Sequence, residues 1–368
     1  MVYLKLLRMS MAGANSRLRL EQQSDEQSDV EFLPGRRSGR FDKLKKGSMR
    51  GQSPGYLRLF IRSAITGLIA LCIRNGAFAQ DLAPRAYVIT PLHTNALTLS
   101  YGFYSGNLDL GNIPVTDASA RVSVPVLSLF HSMNFFGRTG NFVVSLPYGV
   151  GNFRGTVLGT ETNVYRSGLL DSVYRFSVNL KGGPSMTVQE YARWRQKTII
   201  GVSLRVVAPT GQYDSTKLIN WGNNRWGFKP EIGMSRRWGH WLIDAYGGAW
   251  FYTANPVFFS NNQYNPEVIT QTQSPIGAFE GHLSYDVRPR FWASLDGNFW
   301  FGGKTSLNGV ENSASQLQNS RIGGTVSVPV TKHQSIKVSY NNGAYIKYGG
   351  NFQNITFGWQ YSWQGRPQ

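Results

Sequence analysis

Apolar and polar residues alternate strictly near the end of the chain, in "NITFGWQYSW" (Asn354–Trp363). A period of two places successive side chains on opposite faces of a β-strand. A face this rich in aromatic rings suits either a packed core or the headgroup zone of a membrane, and one strand alone does not separate the two. The large residues of this face are Ile355, Phe357, Trp359, Tyr361 and Trp363.

Twelve segments with such alternation follow one another between residues 96 and 363. Most are 10–14 residues long, which matches tilted membrane-spanning strands, since these need about 9–11 residues in the apolar band. The strands of a soluble β-sandwich are shorter, most often about 5–6 residues. The approximate spans are 96–105, 120–136, 141–151, 168–180, 197–209, 225–236, 241–252, 274–287, 290–302, 320–330, 334–345 and 352–363.

The connections between these segments alternate in length. Short ones such as "GRTG" (Gly137–Gly140) and "TKH" (Thr331–His333) alternate with long polar ones such as 152–167, 210–224 and 253–273. Outer-membrane barrels have this layout, with tight periplasmic turns and longer outer loops. The pattern predicts an all-β protein, a transmembrane antiparallel β-barrel of about 12 strands with both termini on the periplasmic side.

The polar faces of the segments carry charge at mid-strand. In "LLDSVYRFSVNL" (Leu169–Leu180), Asp171 and Arg175 share the face opposite Phe176 and Val178. Charges on such a face belong in a wet lumen, because the core of a sandwich would not accept them. The aromatic residues near the short-turn ends of the other faces are then predicted to form the periplasmic girdle: Trp238, Trp241, Tyr285, Phe291, Tyr361 and Trp363.

Three prolines, Pro125, Pro147 and Pro230, lie inside predicted strands. Proline cannot donate to a β-ladder, and a closed barrel has no free edge to accommodate it. We therefore expect bulges or strand ends at these positions.

One short helix is predicted in "MTVQEYARWRQK" (Met186–Lys197), between the fourth and fifth segments. Thr187 and Glu190 have capping-box spacing, and Met186 can pack on Tyr191 as a hydrophobic staple. Strand counting places the helix on the periplasmic side, where a basic and aromatic helix is expected to lie in the membrane interface. A plug for the lumen is the alternative.

A secretory signal peptide is predicted ahead of the barrel. "YLRLFIRSAITGLIALCIRNGAFAQ" (Tyr56–Gln80) has a basic flank, a short apolar run and the triplet Ala77-Phe78-Ala79, which is typical of cleavage before Gln80. We expect three regions: 1–55, a mis-assigned or disordered basic leader; 56–79, the signal peptide; and 80–368, the barrel.

The formal net charge of +18 is uneven along the chain. Residues 1–79 carry 14 Lys/Arg and 6 Asp/Glu, and the basic run Arg36–Arg50 resembles a nucleic-acid arm. No nucleic-acid-binding motif follows it, so no nucleic-acid partner is expected. The single cysteine, Cys72, lies in the predicted signal peptide, so the mature chain is predicted to have neither a disulfide nor a thiolate metal site.

A further signal comes from seven stretches of the mature chain. They are "PVTDASARVSVPVLS" (Pro114–Ser128), "VSLPYGVGNFRG" (Val144–Gly155), "VYRSGLLDSVYRFSVNL" (Val164–Leu180), "WRQKTIIG" (Trp194–Gly201), "VVAPTGQYD" (Val206–Asp214), "NRWGFKPEIGMSRRWGHW" (Asn224–Trp241) and "EGHLSYDVRPRFWASLD" (Glu280–Asp296). Together they resemble the Putative MetA-pathway of phenol degradation family. The resemblance implies an outer-membrane β-barrel associated with uptake of small, often aromatic compounds, and it implies no catalytic residues.

Inward-facing charges define part of a candidate solute path. Arg175 and Arg205 fall near mid-depth on neighbouring strands, and Glu280 and Asp296 fall on another pair. These charges either neutralise one another or face each other across water at a constriction. Both interpretations remain open, because a barrel of about 8 strands has a filled interior, one of about 16–18 strands has an open channel, and twelve lies between them. The full candidate set is Arg175, Arg205, Glu231, Tyr246, Trp250, Glu280, His282, Asp296 and Trp300.

Inward-facing aromatic residues indicate the class of solute. Tyr246, Trp250, Trp292 and Trp300 are predicted to point into the lumen. They either fill the barrel as packing or offer faces on which an aromatic solute stacks, with Asp296 to hold a hydroxyl. The expected function is passive uptake of small aromatic or apolar solutes, with no enzymatic activity, cofactor or metal.

Two alternatives remain, a phospholipase-like outer-membrane hydrolase and a structural barrel without transport. In "EGHLSYD" (Glu280–Asp286), Glu280, His282, Ser284 and Asp286 share one strand face. Residues two apart on a strand lie about 6–7 Å apart, beyond hydrogen-bond reach, so a triad would need a neighbouring strand. A solvated lumen wall accounts for the same residues without catalysis.

The sequence also predicts a location and partners. The expected location is the outer membrane of a Gram-negative bacterium. The expected partners are the outer-membrane bilayer, a small-molecule solute and the outer-membrane assembly machinery, which would engage the C-terminal strand.

Overall fold

The computed structural model of the chain describes residues 83–108, 115–157, 160–262 and 266–365. The predicted leader (1–55) and signal peptide (56–79), with its cleavage site before Gln80, lie outside these residues. No helix in the described part is long and apolar enough to cross a membrane.

Long antiparallel strands make up most of the described chain, with one α-helix, α1 (Val188–Arg193), and three short strands in a separate sheet. The barrel strands are β1 (Thr94–Leu108), β2 (Val115–Phe135), β3 (Arg138–Val157), β4 (Thr160–Leu169), β5 (Ser172–Lys181), β6 (Thr198–Ala208), β7 (Gly227–Trp238), β8 (Trp241–Tyr252), β10 (Ile276–Arg288), β11 (Phe291–Gly302), β14 (Leu317–Pro329), β15 (Gln334–Ile346) and β16 (Gly350–Gln364). The separate sheet consists of β9 (Gln271–Gln273), β12 (Thr305–Leu307) and β13 (Val310–Asn312).

The large sheet closes on itself. β1 pairs with β2 on one side and with β16 on the other, so the first and last strands of the sheet are joined. β4 and β5 together occupy one strand position in the ring, because β5 pairs with the first half of β3 and β4 pairs with its second half. In the described residues the ring therefore has twelve places, and the predicted antiparallel barrel is confirmed.

The outer surface of the barrel is apolar because alternate residues of each strand point away from the lumen. On β16, Ile355 and Phe357 are exposed, whereas Asn354 and Gly358 are buried. Of the predicted girdle residues, Trp238, Trp241, Tyr285, Tyr361 and Trp363 are exposed, and Phe291 is half-buried. A closed barrel with this apolar band and aromatic girdle resides in the outer membrane of a Gram-negative bacterium.

The prediction of a long loop over 152–167 is wrong. β3 continues to Val157 and pairs with β4 from Thr160 onward, so this region is a β-hairpin. β3 has 20 residues, more than the about 9–11 that a membrane requires, so its second half projects outward. The residues of this hairpin do not alternate between apolar and polar with a period of two, which explains why the pattern did not reveal it.

The three prolines lie where the ladder is interrupted, as expected. Pro125 and Pro230 each fall in a two-residue gap of pairing, with β3 and β8 respectively. Pro147 lies between the part of β3 that pairs with β5 and the part that pairs with β4. The missing N–H groups therefore leave few ladder bonds unmade.

Helix α1 has the predicted capping box. The Glu190 N–H donates to the Thr187 hydroxyl, and the Glu190 carboxylate accepts from the Thr187 N–H at 2.7 Å. The N–H and the hydroxyl of Thr187 both donate to this carboxylate and lower the pKa of Glu190 from its usual value. Met186 is buried in a cluster against which Tyr191 packs, but none of the helix residues is buried. The helix is therefore not a plug within the lumen.

Candidate solute path through the barrel

Residues 83–93, which we call the lumen segment, cross the interior of the barrel near its periplasmic end. The Ser132 hydroxyl on β2 donates to the carbonyl of Thr90 at 3.3 Å. Arg85 forms a salt bridge at 2.7 Å with Asp286 on β10. β2 and β10 are six places apart in the twelve-place ring and so lie opposite each other. The short stretch before β1 therefore obstructs the lumen.

Tyr87 anchors the lumen segment. It is fully buried, and its hydroxyl lies 3.0 Å from that of Ser203 and 2.9 Å from the Glu231 carboxylate. A Cβ added at Gly201 would lie 2.4 Å from the Tyr87 ring, and one added at Gly233 would lie 2.1 Å from it. These two glycines on β6 and β7 therefore form the slot that the ring occupies.

Two further residues of the wall hold the same segment. The Arg175 guanidinium lies 5.0 Å from the centre of the Tyr87 ring and donates to the carbonyl of Ala86. The Tyr246 hydroxyl accepts from the N–H of Ala86 at 3.0 Å, and its ring makes an edge contact with Tyr87. Trp292, also on the inner wall, lies under the Arg85 guanidinium at 4.3 Å. Several residues that were predicted to line the solute path therefore bind the lumen segment.

Lys229 is the centre of a charge network beside the lumen segment. It is 2% exposed, and its ammonium lies 2.7 Å from Glu231 and 2.8 Å from Glu280. Arg175 lies 3.7 Å from the Glu231 carboxylate. Arg205 is placed beside Arg175 on β5 and Lys229 on β7 by strand register. The charges therefore contact one another on the wall and do not face each other across open water.

Asp296 belongs to the same wall and is fully engaged. One carboxylate oxygen lies 2.9 Å from Nδ1 of His282, and the other accepts from the Thr325 hydroxyl at 2.7 Å. The hypothesis that Asp296 holds a solute hydroxyl is therefore not supported. Both of its oxygens already have partners from neighbouring strands.

The outer half of the lumen is lined by apolar residues, which we call the outer apolar layer. One cluster contains Val122, Val124 and Phe352, and a second contains Trp250, Ile276 and Trp300. Ile346 packs against both clusters, so they form one lining. Both lie toward the ends of the strands that face the long loops.

Within this layer a few polar atoms have no hydrogen-bond partner among the described residues. They are Nε1 of Trp250, Nε1 of Trp221, and both the nitrogen and the oxygen of the Asn298 amide. Asn298 is 7% exposed and lies two residues from Trp300 on the same face of β11. Strand register places it between Glu280 on β10 and Arg321 on β14. An amide with both functions unused can donate to and accept from one small molecule.

The loop between β6 and β7 places Trp221 inside the outer mouth. Its ring packs on Phe153, and a Cβ added at Gly149 would lie 2.5 Å from it. Asp171 fixes the loop by accepting from the N–H groups of Gly211 and Asn223 at 3.0 and 2.8 Å. The predicted continuous strand 168–180 is therefore wrong at Asp171, which lies in the break between β4 and β5 and serves a loop.

Farther out in the same loop, Asp214 holds a turn. Hydrogen bonds from Lys217 and Thr216 lower the pKa of Asp214 to about 2. The carboxylate is therefore ionised in any ordinary medium, and the turn is stable across the physiological pH range.

The contacts of His282 give no support to the hydrolase alternative. Its Nδ1 is bonded to Asp296, and its Nε2 has no hydrogen-bond partner among the described residues. The Ser284 hydroxyl has none either, and Asp286 is bound by Arg85 and Arg237. In the described chain, moreover, no three His, Cys, Asp or Glu residues converge as a metal site would require.

Sequence reasoning missed three features of the lumen: Lys229, Asn298 and the lumen segment. The first two could have been predicted, because each lies two residues from a position that the sequence assigns to the lumen wall. Lys229 is two residues from Glu231, and Asn298 is two residues from Asp296. The lumen segment has no such signal, since its short apolar stretch carries no period.

Comparison with known proteins fits this architecture. The sequence profile of the family "Putative MetA-pathway of phenol degradation" matches residues 105–345, more than half of the chain. The protein belongs to this family. No curated protein sequence matches it at a significant level.

Solved structures with a similar fold are outer-membrane barrels. The COG4313 outer membrane channel from Pseudomonas putida F1 aligns with a TM-score of 0.63 and 16% identity, over 77% of this chain and 100% of the other. The β domain of the Bordetella autotransporter Brka has a TM-score of 0.43 and 12% identity, over 74% and 100% of the two chains. The transport unit of AIDA-I from Escherichia coli has a TM-score of 0.44 and 12% identity, over 82% and 97%.

The contacts of Lys229 generate a prediction about stability. Lys229→Met should lower the free energy of unfolding by about 3–5 kcal/mol, because it removes the nearest cation from two buried carboxylates, Glu231 and Glu280. The measurement is the temperature at which the compact, heat-modifiable form of the barrel unfolds on a gel. As a control, Lys304→Met removes an exposed ion pair with Glu311 and should cost at most about 1 kcal/mol. Equal shifts for both variants would contradict a structural role for the Lys229 network.

Proposed function

We propose that this protein is an outer-membrane channel for passive uptake of small aromatic or apolar solutes. The observation that carries the proposal is the outer apolar layer, which lines the outer half of the lumen with Val, Ile, Phe and Trp side chains. A passage for sugars or ions gains nothing from such a lining, because apolar walls offer no replacement for their hydration. The family to which the chain belongs and the channel fold of its Pseudomonas putida neighbour support the same reading.

A solute with an aromatic ring would be retained in the outer apolar layer by area burial and by stacking. Trp250 and Tyr252 already stack with ring planes 7° apart, and Trp300 lies in the same cluster. One stacked ring contributes about 0.5–1.5 kcal/mol beyond the burial of its area. That is enough to favour passage of aromatic solutes without trapping them.

Asn298 would take the place that the sequence assigned to Asp296. Its amide can donate to and accept from a hydroxyl, and both of its polar atoms have no partner in the described residues. Binding a hydroxyl on the ring would therefore satisfy groups that are buried without hydrogen bonds. This favours ring solutes with a hydroxyl over hydrocarbons of the same size.

Passage into the periplasm would require the lumen segment to move. It is held by polar contacts of Arg85, Ala86 and Tyr87 with the wall and by burial of Tyr87 and Ile89 in an apolar cluster. The polar contacts can exchange with water one at a time, whereas the two buried side chains must leave their cluster. Uptake needs no energy source in this scheme, since the solute gradient drives it.

The Trp residues of the outer apolar layer provide the first test. Trp250→Ala combined with Trp300→Ala should slow uptake of a radiolabelled aromatic solute by about tenfold, because two ring contacts are lost. Uptake of a small polar solute should stay equal or rise. The matched control is Phe299→Ala with Phe301→Ala, which removes two exposed rings from the lipid-facing side of β11, the strand that carries Trp300. Equal loss for aromatic and polar solutes would show that the Trp rings are packing.

Asn298 provides a separate test of the hydroxyl preference. Asn298→Leu should slow uptake of phenol relative to toluene by about five- to tenfold, since one hydrogen-bonding partner is removed. The ratio of the two uptake rates, measured in the same cells, is the readout. An unchanged ratio would place the Asn298 amide outside the solute path.

The lumen segment predicts the conductance. In planar bilayers Tyr87→Ala should raise the single-channel conductance several-fold, because the ring that occupies the Gly201 and Gly233 slot is lost. Tyr285→Ala, which removes an exposed ring of the girdle, should leave conductance unchanged. If neither the native chain nor Tyr87→Ala conducts ions or admits any solute, the structural barrel without transport is the correct alternative.

A further inference from the structure

Exposed cations concentrate on one sector of the periplasmic rim. Arg193 ends helix α1, Arg195 and Lys197 follow it, Arg236 lies near the end of β7, and Arg288 and Arg290 lie at the turn between β10 and β11. Among the described residues none of these six side chains forms a salt bridge. The two acidic groups nearest to them are engaged elsewhere, Glu190 in the helix cap and Asp286 with Arg85 and Arg237.

A row of aromatic rings lies on the same sector. Trp238 pairs with Trp241 across β7 and β8, and Trp241 pairs with Tyr285 across β8 and β10. The exposed fractions of the three are 59%, 47% and 39%, and the Trp241 and Tyr285 rings meet edge to face at 4.8 Å. Rings at this level mark the zone of the lipid headgroups.

Arg236 and Arg288 lie on the outward, lipid-facing side of the barrel at this level. Arg236 alternates with the exposed residues Met234 and Trp238 on β7, and its guanidinium lies 5.0 Å from the Trp238 ring. Arg288 reaches the outer side because β10 has a bulge between Asp286 and Arg288, which changes the direction of the side chain.

The two guanidinium groups flank the aromatic row. Arg288 lies 5.5 Å over the ring of Phe291, beyond one end of the row, and Arg236 lies beside Trp238 at the other end. Their strands are separated by β8, a spacing of about 10 Å. Lys197 is exposed at the rim and immediately precedes Thr198, which pairs with Arg236 across β6 and β7.

We propose that this sector, from Lys197 and Arg236 to Arg288, is a binding site for the phosphate headgroup of an anionic glycerophospholipid in the periplasmic leaflet. A guanidinium on the membrane-facing wall is stable where it meets a phosphate, to which it can donate two parallel hydrogen bonds. The aromatic row packs against the glycerol and upper acyl region beside it. The short-turn end places the site in the phospholipid leaflet and away from the outer surface of the membrane. It is independent of the solute path, since Arg236 and Arg288 are on the opposite face of the strands.

The test compares lipid binding by variants with the same change of net charge. The full mature chain is reconstituted in nanodiscs of phosphatidylglycerol and phosphatidylcholine, and the lipids that remain bound are counted by native mass spectrometry. The variant Lys197→Gln/Arg236→Gln/Arg288→Gln should lose its preference for phosphatidylglycerol, by about fivefold for each cation removed. The control is Arg121→Gln/Arg154→Gln/Lys347→Gln, which removes three exposed cations toward the long-loop end of the barrel.

The proposal stands if the first variant loses the preference and the control keeps it. It is overturned if both variants lose it equally, since net charge alone would then explain the binding. It is also overturned if inorganic phosphate stabilises the detergent-solubilised protein through the same three residues, since the site would then serve a free anion. The heat-modifiable gel shift shows whether each variant is folded, so an unfolded variant is not mistaken for one that has lost the site.

Discussion

Hydrocarbon offers no hydrogen-bond partner to a peptide group, so each N–H and C=O at membrane depth must find one within the protein. In this chain the pairing of β1 with β16 meets that requirement, because it leaves no free edge in the ring. Once the ring is closed, alternate residues must face lipid or lumen. The prolines conform to the same constraint by occupying the gaps in the ladder.

Closure also fixes the size of the interior. A ring with twelve places is wide enough to accommodate one extended segment of the chain, which crosses it from β2 to β10. The lumen segment fits because Gly201 and Gly233 leave room for the ring of Tyr87. The charges around it are then buried in contact with one another, and Lys229 lies between the Glu231 and Glu280 carboxylates and compensates their charge.

The interior therefore has two halves of different chemistry. The periplasmic half contains the charge network and the lumen segment, and the outer half contains the outer apolar layer with the unused amide of Asn298. A solute would first meet apolar surface and then a polar closure that its passage must displace. In the proposed function, selection by the outer half and closure by the inner half would be separate physical steps, carried by different residues.

The sequence by itself determined the barrel, the number of its strands, the outward aromatic girdle and the capping box of α1. These follow from a period of two, from loop lengths and from local spacing, all of which depend on near neighbours in the chain. It also indicated which residues face inward, such as Arg175, Glu280 and Trp300, because alternate residues of a strand point to opposite faces.

This alternation does not determine which side chains an inward-facing residue contacts. Three contacts show this: Asp296 is held by His282 and Thr325, Tyr246 binds the lumen segment, and Asp171 holds a loop. All of them join positions that are far apart in sequence. Such contacts are decided by strand register and by how the ring closes, and only the tertiary structure contains that information.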